Sequence, residues 1–229
     1  MSNPQTKSSR VCYILGAATL TGHWPRPKLG DMIIAADAGW KYLQGLGWIA
    51  DAVIGDFDTA APPPVDSRRR MCRAIYHLPA EKDDTDMAAA IQLGLDGGCS
   101  TFYLLGGTGG RLDHTLANIQ CLAHLAAMSR AAYLPDGEET LTAIVGGGSV
   151  VFPEGASGTV SVFAHSGSAS GVTLDGFKYT MVNGTLTNTR ALGVSNELAG
   201  GRASVKVGDG TLIVVFPGTL SANLIRNEA

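Results

Sequence analysis

Two aspartates one residue apart follow a short apolar run in VIGDFDTA, residues 53–60. In a locally extended GDFD, Asp56 and Asp58 project to one side while Phe57 turns the other way into the core. Two convergent carboxylates repel each other unless a cation lies between them. The stretch contains no His or Cys, so its hard oxygen ligands favour Mg²⁺ over zinc. Because Mg²⁺ held by few carboxylates takes its other ligands from water and phosphates, the pair predicts a phosphate site.

A second acidic cluster, EKDDTD at residues 81–86, stands at the start of a predicted helix. Asp86 lies in the first turn of this helix, which we predict to begin near Asp84. A carboxylate there suits the helix dipole and can also reach a metal. Thr85 and the backbone amides of the same turn can meet phosphate oxygens. The alternative is an acidic helix start without any ligand, and the cluster alone leaves both interpretations open.

A glycine-rich segment, GGTGGRLDH at residues 106–114, leads into another predicted helix. Its flexible glycines can let backbone amides approach an anion, with Arg111 as a bidentate clamp. The segment does not match GxGxxG, because Leu112 stands where the third glycine would be. The segment is therefore weak support when taken alone. His114 within it is more typical of a core histidine than of a catalytic base.

Short apolar runs alternate with helix-like segments up to about residue 135. The helices are predicted over residues 84–96 and 112–128. The apolar face of the second consists of Leu112, Leu116, Ile119, Leu122 and Leu125. The predicted strands cover residues 11–15, 32–36, 52–55, 74–78, 101–105 and 131–134. Alternating elements with nearly continuous apolar strands predict a mostly parallel sheet covered on both faces.

The polar clusters of this half all follow predicted strands. In an open α/β sheet, ligands bind beyond the carboxyl ends of the strands. Asp37 follows the run at 32–36, and the three clusters described above follow the next runs along the chain. Each cluster alone is compatible with a solvated turn or a helix start. Their convergence on one edge favours a functional site.

The chain changes character after about residue 138. Residues 158–164, 202–207 and 211–216 are β-branched and partly alternating, with no convincing helical period. The glycines at 146–148 predict a hairpin turn. This half therefore predicts an antiparallel sandwich or barrel. We expect a flexible N-terminus over residues 1–10, an α/β domain over 11–137 and an all-β domain over 138–229.

Composition excludes several partner classes. A net charge of −3, from 17 basic and 20 acidic side chains, gives no electrostatic footprint for nucleic acid or an anionic membrane. No segment approaches the roughly 20 apolar residues of a membrane span. The four cysteines lie far apart without a CxxC pair, which favours a reducing cytoplasm over a disulfide framework or zinc ribbon.

The first apolar run, VCYILGAATL at residues 11–20, follows Lys7 and Arg10 and has two interpretations. It is similar to the apolar segment of a signal peptide. A buried first strand explains the same bounded, β-branched run. We favour the strand.

Four motifs in this order and spacing resemble thiamine pyrophosphokinase, especially its bacterial form. They are GDFDT (55–59), KDDTD (82–86), GGTGGRLDH (106–114) and GVSNEL (193–198). The resemblance runs from about residue 31 to residue 218. It implies an α/β N-terminal domain followed by a β-sandwich, a homodimer, and transfer of pyrophosphate from ATP to thiamine, giving thiamine diphosphate and AMP.

The resemblance also implies residue roles. Asp56, Asp58 and Asp86 correspond to the acidic residues that hold Mg²⁺. The nucleotide and phosphate site would be lined by Asp37, Lys82, Thr85, Arg111 and Asp113. Ser195 and Asn196 correspond to a pair that contacts thiamine where two subunits meet. Leu198 stands where some members carry an aromatic residue that stacks on thiamine, so the stacking partner differs here.

Two other function classes stay open at this point. One is a Mg²⁺-dependent phosphatase of the haloacid dehalogenase type, whose DxDx[TV] loop also follows an apolar strand. Ala60 occupies the fifth position and breaks that pattern. The other class is a non-catalytic module that binds a nucleotide or thiamine, with the carboxylates as a structural metal site. GVSNEL has no role in either class, which favours the kinase.

Overall fold

The structure is a computed structural model that describes residues 10–58, 61–64, 71–79, 81, 84–220 and 225–227. The chain divides into two compact units. Unit 1 comprises residues up to 17 together with 27–103, and unit 2 comprises residues 18–26 together with those from 104 onward. The predicted flexible segment at 1–10 lies, except for Arg10, outside the described residues.

Parallel strands form the sheet of unit 1. They are β1 (Val11–Leu15), β2 (Met32–Ala36), β3 (Ala50–Gly55) and β4 (Cys72–His77), and β1–β2, β2–β3 and β3–β4 all pair in parallel. β1 and β2 have the predicted bounds, which confirms the first apolar run as a buried strand. β3 and β4 each begin two residues earlier than predicted. β1 to β3 are mostly buried, whereas β4 is largely exposed.

Three helices complete unit 1. A 3-10 helix (Asp37–Tyr42) and α1 (Leu43–Leu46) follow β2, and neither was predicted because both are too short to show a helical period. The predicted longer helix is α2 (Asp86–Asp96), whose N-cap is Thr85. The Thr85 hydroxyl accepts a hydrogen bond of 3.1 Å from the Ala88 amide. α2 buries Met87, Ala90, Ile91 and Gly94 and packs against β1, β2 and β3.

An aromatic cluster lies in the core of unit 1. The ring of Tyr13 stacks on Tyr103 at 5.2 Å between centroids, and Trp48 meets Tyr13 edge-on at 5.8 Å. Burial raises the pKa of Tyr13 to about 12. Tyr103 belongs to β5 (Thr101–Leu105), whose bounds match the prediction. These ring contacts tie β1 to β5 and to the segment before β3.

Unit 2 contains α3 (Leu112–Ala127) and two sheets. In the first sheet the order is β12 (Gly193–Glu197), β9 (Thr159–Ala164), β14 (Thr211–Pro217), β7 (Glu139–Val145) and β6 (Ala131–Asp136). In the second it is β11 (Met181–Thr187), β10 (Ser168–Asp175), β13 (Ala203–Lys206), β8 (Gly148–Phe152) and β15 (Ile225–Asn227). Neighbouring strands in these two orders are all antiparallel, as predicted for this half.

Aromatic side chains fill the space between the two sheets of unit 2. Phe152 of β8 meets Phe216 of β14 at 5.9 Å between ring centroids, and Phe177 at 6.0 Å. All three rings are buried. The two sheets therefore face each other across a common apolar layer.

Two sequence predictions for unit 2 are wrong. The glycines at 146–148 do not close a hairpin, because β7 and β8 belong to different sheets and the turn carries the chain from one to the other. The predicted apolar face of α3 is wrong only in its first part, because Leu112 and Leu116 are 74% and 56% exposed. Leu122 and Leu125 are buried as predicted, and Asn118 is buried as well.

Within the described residues, no helix is long and apolar enough to cross a lipid bilayer.

Candidate active site

Three aspartates of unit 1 converge at the carboxyl ends of its strands. Asp37 begins the 3-10 helix after β2, Asp56 follows β3, and Asp86 is the first residue of α2. Each can offer one carboxylate oxygen, and these oxygens all lie within 4.8 Å of one another. All three residues are partly buried. The convergence of acidic residues on one edge was predicted, and for these three residues it is confirmed.

The backbone at Asp37 explains how its carboxylate reaches the group. Asp37 has φ of 47°, a left-handed conformation that turns the chain sharply as it leaves β2. The turn also needs Gly55, because a Cβ there would lie 3.1 Å from Cα and 3.3 Å from N of Asp37. Gly39 is confined as well, since a Cβ would overlap the carbonyl oxygen of Leu15. Gly55 at the end of β3 and Gly39 in the 3-10 helix after β2 therefore let the backbone segments approach closely enough to group the carboxylates.

Gly55→Ala is expected to weaken binding of Mg²⁺ about tenfold, because the added methyl group pushes Asp37 out of position. Isothermal titration of the purified variant with Mg²⁺ measures this. Gly45→Ala is the matched control, since a Cβ at Gly45 meets nothing within 4 Å. Equal Mg²⁺ affinity in the two variants would show that the close approach of Gly55 to Asp37 does not shape the site.

Asp58 does not lie in this group. The expectation of a locally extended GDFD is wrong, because Phe57 has φ of 58° and reverses the chain. The reversal brings the Asp58 amide to Asp56 Oδ1 at 3.3 Å, and leaves the Asp58 side chain exposed. Phe57 instead packs edge-on against His77 at 5.0 Å between ring centroids. The role of Asp58 as a metal ligand therefore stays a prediction, whereas Asp37 joins the group although sequence reasoning placed it on the nucleotide.

Backbone strain concentrates near the candidate residues. The described non-glycine residues with positive φ are Asp37, Phe57, Ser129, Asn183 and Ser195. Three of these five are candidate residues or lie between two of them. Such conformations cost on the order of 1–3 kcal/mol each and persist where the surrounding structure enforces them. The strain supports a functional rather than an incidental grouping.

The donor set of the group suits a hard divalent cation. Three carboxylates whose oxygens lie within 4.8 Å of each other repel strongly unless a cation neutralises them. All three donors are carboxylate oxygens, which Mg²⁺ and Mn²⁺ prefer and which do not favour zinc or copper. Asp86 at the first position of α2 is also stabilised by the helix dipole. The residues present therefore fit Mg²⁺.

Arg111 and Asp113 form an ion pair at the start of α3 in unit 2. The guanidinium Nη2 lies 2.6 Å from Asp113 Oδ2, and Nε donates to Oδ1 at 3.2 Å. This bidentate hydrogen bond lowers the pKa of Asp113 and raises the pKa of Arg111. Both side chains are mostly exposed, at 74% and 62%. The planar fork of Arg111 is thus presented to solvent, already oriented by a carboxylate of the same helix.

The glycine-rich loop at 106–110 precedes this pair in the chain. Gly106 and Gly109 have φ of 63° and 74°, conformations that L side chains rarely adopt. Thr108 between them is buried. The loop is fixed by Asn118 of α3, whose Nδ2 donates to the Gly107 carbonyl at 2.7 Å. Sequence reasoning missed Asn118, although a polar residue four positions before the buried Leu122 is a recognisable anomaly on a helix face.

Three further residues of the acidic and glycine-rich motifs are Thr85, Lys82 and His114. The Thr85 hydroxyl caps α2 by accepting the Ala88 amide. The predicted contact between Thr85 and ATP would therefore use the same hydroxyl or a backbone group of Thr85. Lys82 lies outside the described residues. His114 is exposed, contrary to a core position.

Ser195 and Asn196 lie on β12, a strand that unaided sequence reasoning takes for a turn. Asn196 is buried, and its side chain binds the backbone of Tyr179 in both directions: Oδ1 accepts from the amide at 3.0 Å, and Nδ2 donates to the carbonyl at 2.7 Å. Ser195 has φ of 57°, and its amide donates to Ser161 Oγ at 3.0 Å. Asn196 thus holds the strand in place, and the exposed Ser195 is presented to solvent.

Two family models match successive parts of this chain. Residues 28–134 match "Thiamin pyrophosphokinase, catalytic domain", and residues 150–212 match "Thiamin pyrophosphokinase, vitamin B1 binding domain". Both models describe one family, and together they span most of the chain. The chain belongs to the thiamine pyrophosphokinase family.

Individual relatives agree with this assignment. A thiamine pyrophosphokinase of Bacillus subtilis is 29% identical over 182 residues, covering 80% of this chain and 85% of that protein. The crystal structure of a Bacillus subtilis thiamine pyrophosphokinase superposes with a TM-score of 0.77 at 26% identity, covering 92% of this chain and 100% of that chain. The enzyme from Geobacillus thermodenitrificans gives 0.75 at 26% identity, covering 93% and 100%.

The candidate residues divide between the two matched stretches of the thiamine pyrophosphokinase family. The carboxylate group and Arg111 lie in the stretch that matches the catalytic domain. Ser195 and Asn196 lie in the stretch that matches the vitamin B1 binding domain. The predicted domain boundary at residue 137 falls between the two stretches.

Proposed function

We propose that the chain transfers a pyrophosphate group from ATP to the hydroxyl of thiamine, giving thiamine diphosphate and AMP. The observation that carries the proposal is the group of three carboxylates at the strand ends, in a chain of the thiamine pyrophosphokinase family. The hydroxyl oxygen of thiamine forms a bond to the β-phosphorus of ATP. The bond from that phosphorus to the oxygen bridging to the α-phosphorus breaks, and the hydroxyl proton is lost.

Mg²⁺ is the proposed metal, and Asp37, Asp56 and Asp86 would hold it. When bound, Mg²⁺ would neutralise phosphate oxygens and help to orient them for in-line displacement. The chain contributes the positioning of its own carboxylates: Asp37 through its left-handed backbone, Asp56 through its place after β3, and Asp86 through the start of α2.

The residues of the glycine-rich stretch are proposed to bind phosphate oxygens. Asp113 binds the Nε and Nη2 edge of Arg111 and so orients the guanidinium before substrate binds. The Nη1 and Nη2 edge is the one proposed to match two phosphate oxygens at once. Thr85, Lys82 and Asp37 complete the nucleotide contacts that the family resemblance implies. A primary alcohol needs no strong base if the transition state is loose, so positioning and charge neutralisation carry most of the catalysis.

Thiamine is proposed to bind at β12, and the chain to act as a homodimer of subunits with an α/β domain and a β-sandwich. Ser195 contacts thiamine directly in this proposal, while the buried Asn196 keeps β12 and Tyr179 in register. Tyr179, Leu192 and Val194 on and around this strand are exposed at 62%, 52% and 43%. Exposed apolar side chains beside a substrate site support its completion by a second subunit.

Asp58→Asn is expected to keep the fold and lose most turnover. The reason is that an exposed carboxylate directly beside Asp56 adds negative charge where the cation and the phosphates meet. Steady-state turnover at saturating Mg²⁺, with a thermal melt of the same sample, measures this. Near-normal turnover would remove Asp58 from the site and leave the three grouped aspartates as its acidic set.

The reaction is tested by mixing the purified chain with ATP, Mg²⁺ and thiamine and quantifying products by mass spectrometry. The proposal expects AMP and thiamine diphosphate in equal amounts, and neither product after a chelator is added. Phosphate release with a phosphorylated Asp56 would favour the phosphatase, and binding of thiamine without any product would favour the non-catalytic module. Either result would overturn the proposed function.

A further inference from the structure

Asn118 is a buried polar residue on an otherwise apolar face of α3. Its neighbours on that face include Leu122, Leu125 and Ala126, all buried. Burying an amide side chain costs free energy unless its hydrogen bonds are made. Asn118 makes one across eleven residues of chain, from Nδ2 to the Gly107 carbonyl at 2.7 Å. The buried face of α3 is therefore polar at Asn118, where this face contacts the glycine-rich loop.

This hydrogen bond sets the direction of a whole peptide group. Because the described peptide bonds are trans, fixing the Gly107 carbonyl toward Asn118 points the Thr108 N–H the opposite way, away from that side chain. Gly107 lies close to two side chains, since a Cβ there would lie 2.6 Å from Leu134 Cδ1 and 3.1 Å from Asn118 Nδ2. The loop backbone is thus packed from two sides at its centre.

The glycines on either side of this peptide make the loop conformation more dependent on the Asn118 hydrogen bond. Gly106 and Gly109 adopt left-handed conformations on either side of this peptide. A glycine backbone has many alternative conformations, so a loop of this composition loses its shape readily when an anchor is removed. Asn118 restricts that freedom from the second turn of α3, and its own side chain is buried, at 5% exposure.

We propose that Asn118 is a positioning residue for nucleotide binding: it holds the loop at 106–110 in the conformation whose amides meet a phosphate group. The inference rests on the proposed function, since it assigns the loop to ATP. It adds to that function a residue outside the acidic group and the Arg111 pair. Asn118 acts through Gly107 and does not itself touch substrate.

The test compares Asn118→Leu with Thr142→Val. Thr142 is a matched control because its buried hydroxyl donates to the Ala132 carbonyl at 2.7 Å in the same unit, and not to the loop at 106–110. Both substitutions remove one buried side-chain to backbone hydrogen bond and keep the number of side-chain heavy atoms. We expect Asn118→Leu to raise the KM for ATP about tenfold to a hundredfold and to leave the KM for thiamine as it is in Thr142→Val. Equal KM values for ATP in the two variants would overturn the proposal.

A second measurement tests the role of Asn118 in the free protein, without measuring the reaction. Hydrogen exchange of the free protein is followed at residues 106–110 in both variants, with Asn118→Ala used if the Leu variant does not fold. Faster exchange confined to the loop in the Asn118 variant supports the positioning role even if the wild type makes no AMP, in which case the proposed function alone fails. Exchange at the loop equal to that of Thr142→Val would overturn the role.

Discussion

Asp56→Asn is expected to lower kcat by about 10² to 10³ while leaving the protein folded. Asp56 offers an oxygen that lies within 4.8 Å of those of Asp37 and Asp86, and its Oδ1 accepts the Asp58 amide at 3.3 Å. An asparagine keeps the shape, but it removes one negative charge and can turn an NH₂ group toward the metal. The measurement is kcat at saturating ATP, thiamine and Mg²⁺, with a thermal melt of each sample.

Asp96→Asn is the control for this substitution. Asp96 is the last residue of α2, where it accepts a hydrogen bond from Gln92 at 2.8 Å on the protein surface. Asp96→Asn removes one negative charge from unit 1, as Asp56→Asn does, but outside the carboxylate group. We therefore expect wild-type turnover in Asp96→Asn. An Asp56→Asn variant that turns over like Asp96→Asn would contradict the assignment of the acidic site.

Arg111→Lys is expected to reduce kcat/KM for ATP by about 10², because a point charge cannot replace a planar fork. The fork is visible in the structure, where Nε and Nη2 both bind the Asp113 carboxylate. The pair is largely exposed, and exposed ion pairs contribute little to stability. The melting temperature should therefore stay unchanged, which separates a catalytic loss from a folding defect. Steady-state kinetics over a range of ATP concentrations provides the measurement.

Arg73→Lys provides the comparison for Arg111→Lys. Arg73 is also an exposed arginine beside an aspartate, with its Nη1 3.4 Å from Asp51 Oδ1. Arg73 lies on the edge strand β4 and Asp51 on the neighbouring β3. Neither residue belongs to a candidate site, so wild-type kinetics are expected. Wild-type kinetics in Arg111→Lys as well would argue against a phosphate clamp at Arg111.

The position of the acidic site could be predicted because it depends on strand ends. The apolar runs at 11–15 and 32–36 are bounded by polar residues, and parallel strands bring their carboxyl ends to one edge. Asp86 followed from the start of an amphipathic helix, which the structure places one residue after Thr85. These features follow from local composition and the strand or helix period, both of which are readable from one sequence.

Which aspartates form the carboxylate group could not be predicted in the same way, because their positions depend on single backbone torsions. An alternation argument puts Asp56 and Asp58 on one side, but the positive φ of Phe57 separates them. The positive φ of Asp37 brings that residue in instead, and the close approach of Gly55 permits it. The residue type of Phe57 does not signal a left-handed conformation, and aspartate, although enriched in that region, adopts it too rarely for Asp37 to be predicted there.

The second half was less predictable for a related reason. β12 contains a bulge between Gly193 and Asn196 and a left-handed Ser195, so its residues do not alternate in the manner of a regular strand. Only the motif resemblance pointed to Ser195 and Asn196. The role of Asn196 as a clamp on the Tyr179 backbone depends on a contact 17 residues away in the chain, which no local pattern contains.

The most direct test of the central claim follows the transferred group itself. The purified chain is incubated with thiamine, Mg²⁺ and ATP carrying a radioactive label at its β-phosphorus, and the products are separated by chromatography. We expect the label to enter thiamine diphosphate, and we expect Asp56→Asn or a chelator to prevent this. Label found in ADP, in free phosphate or on the protein would contradict pyrophosphate transfer.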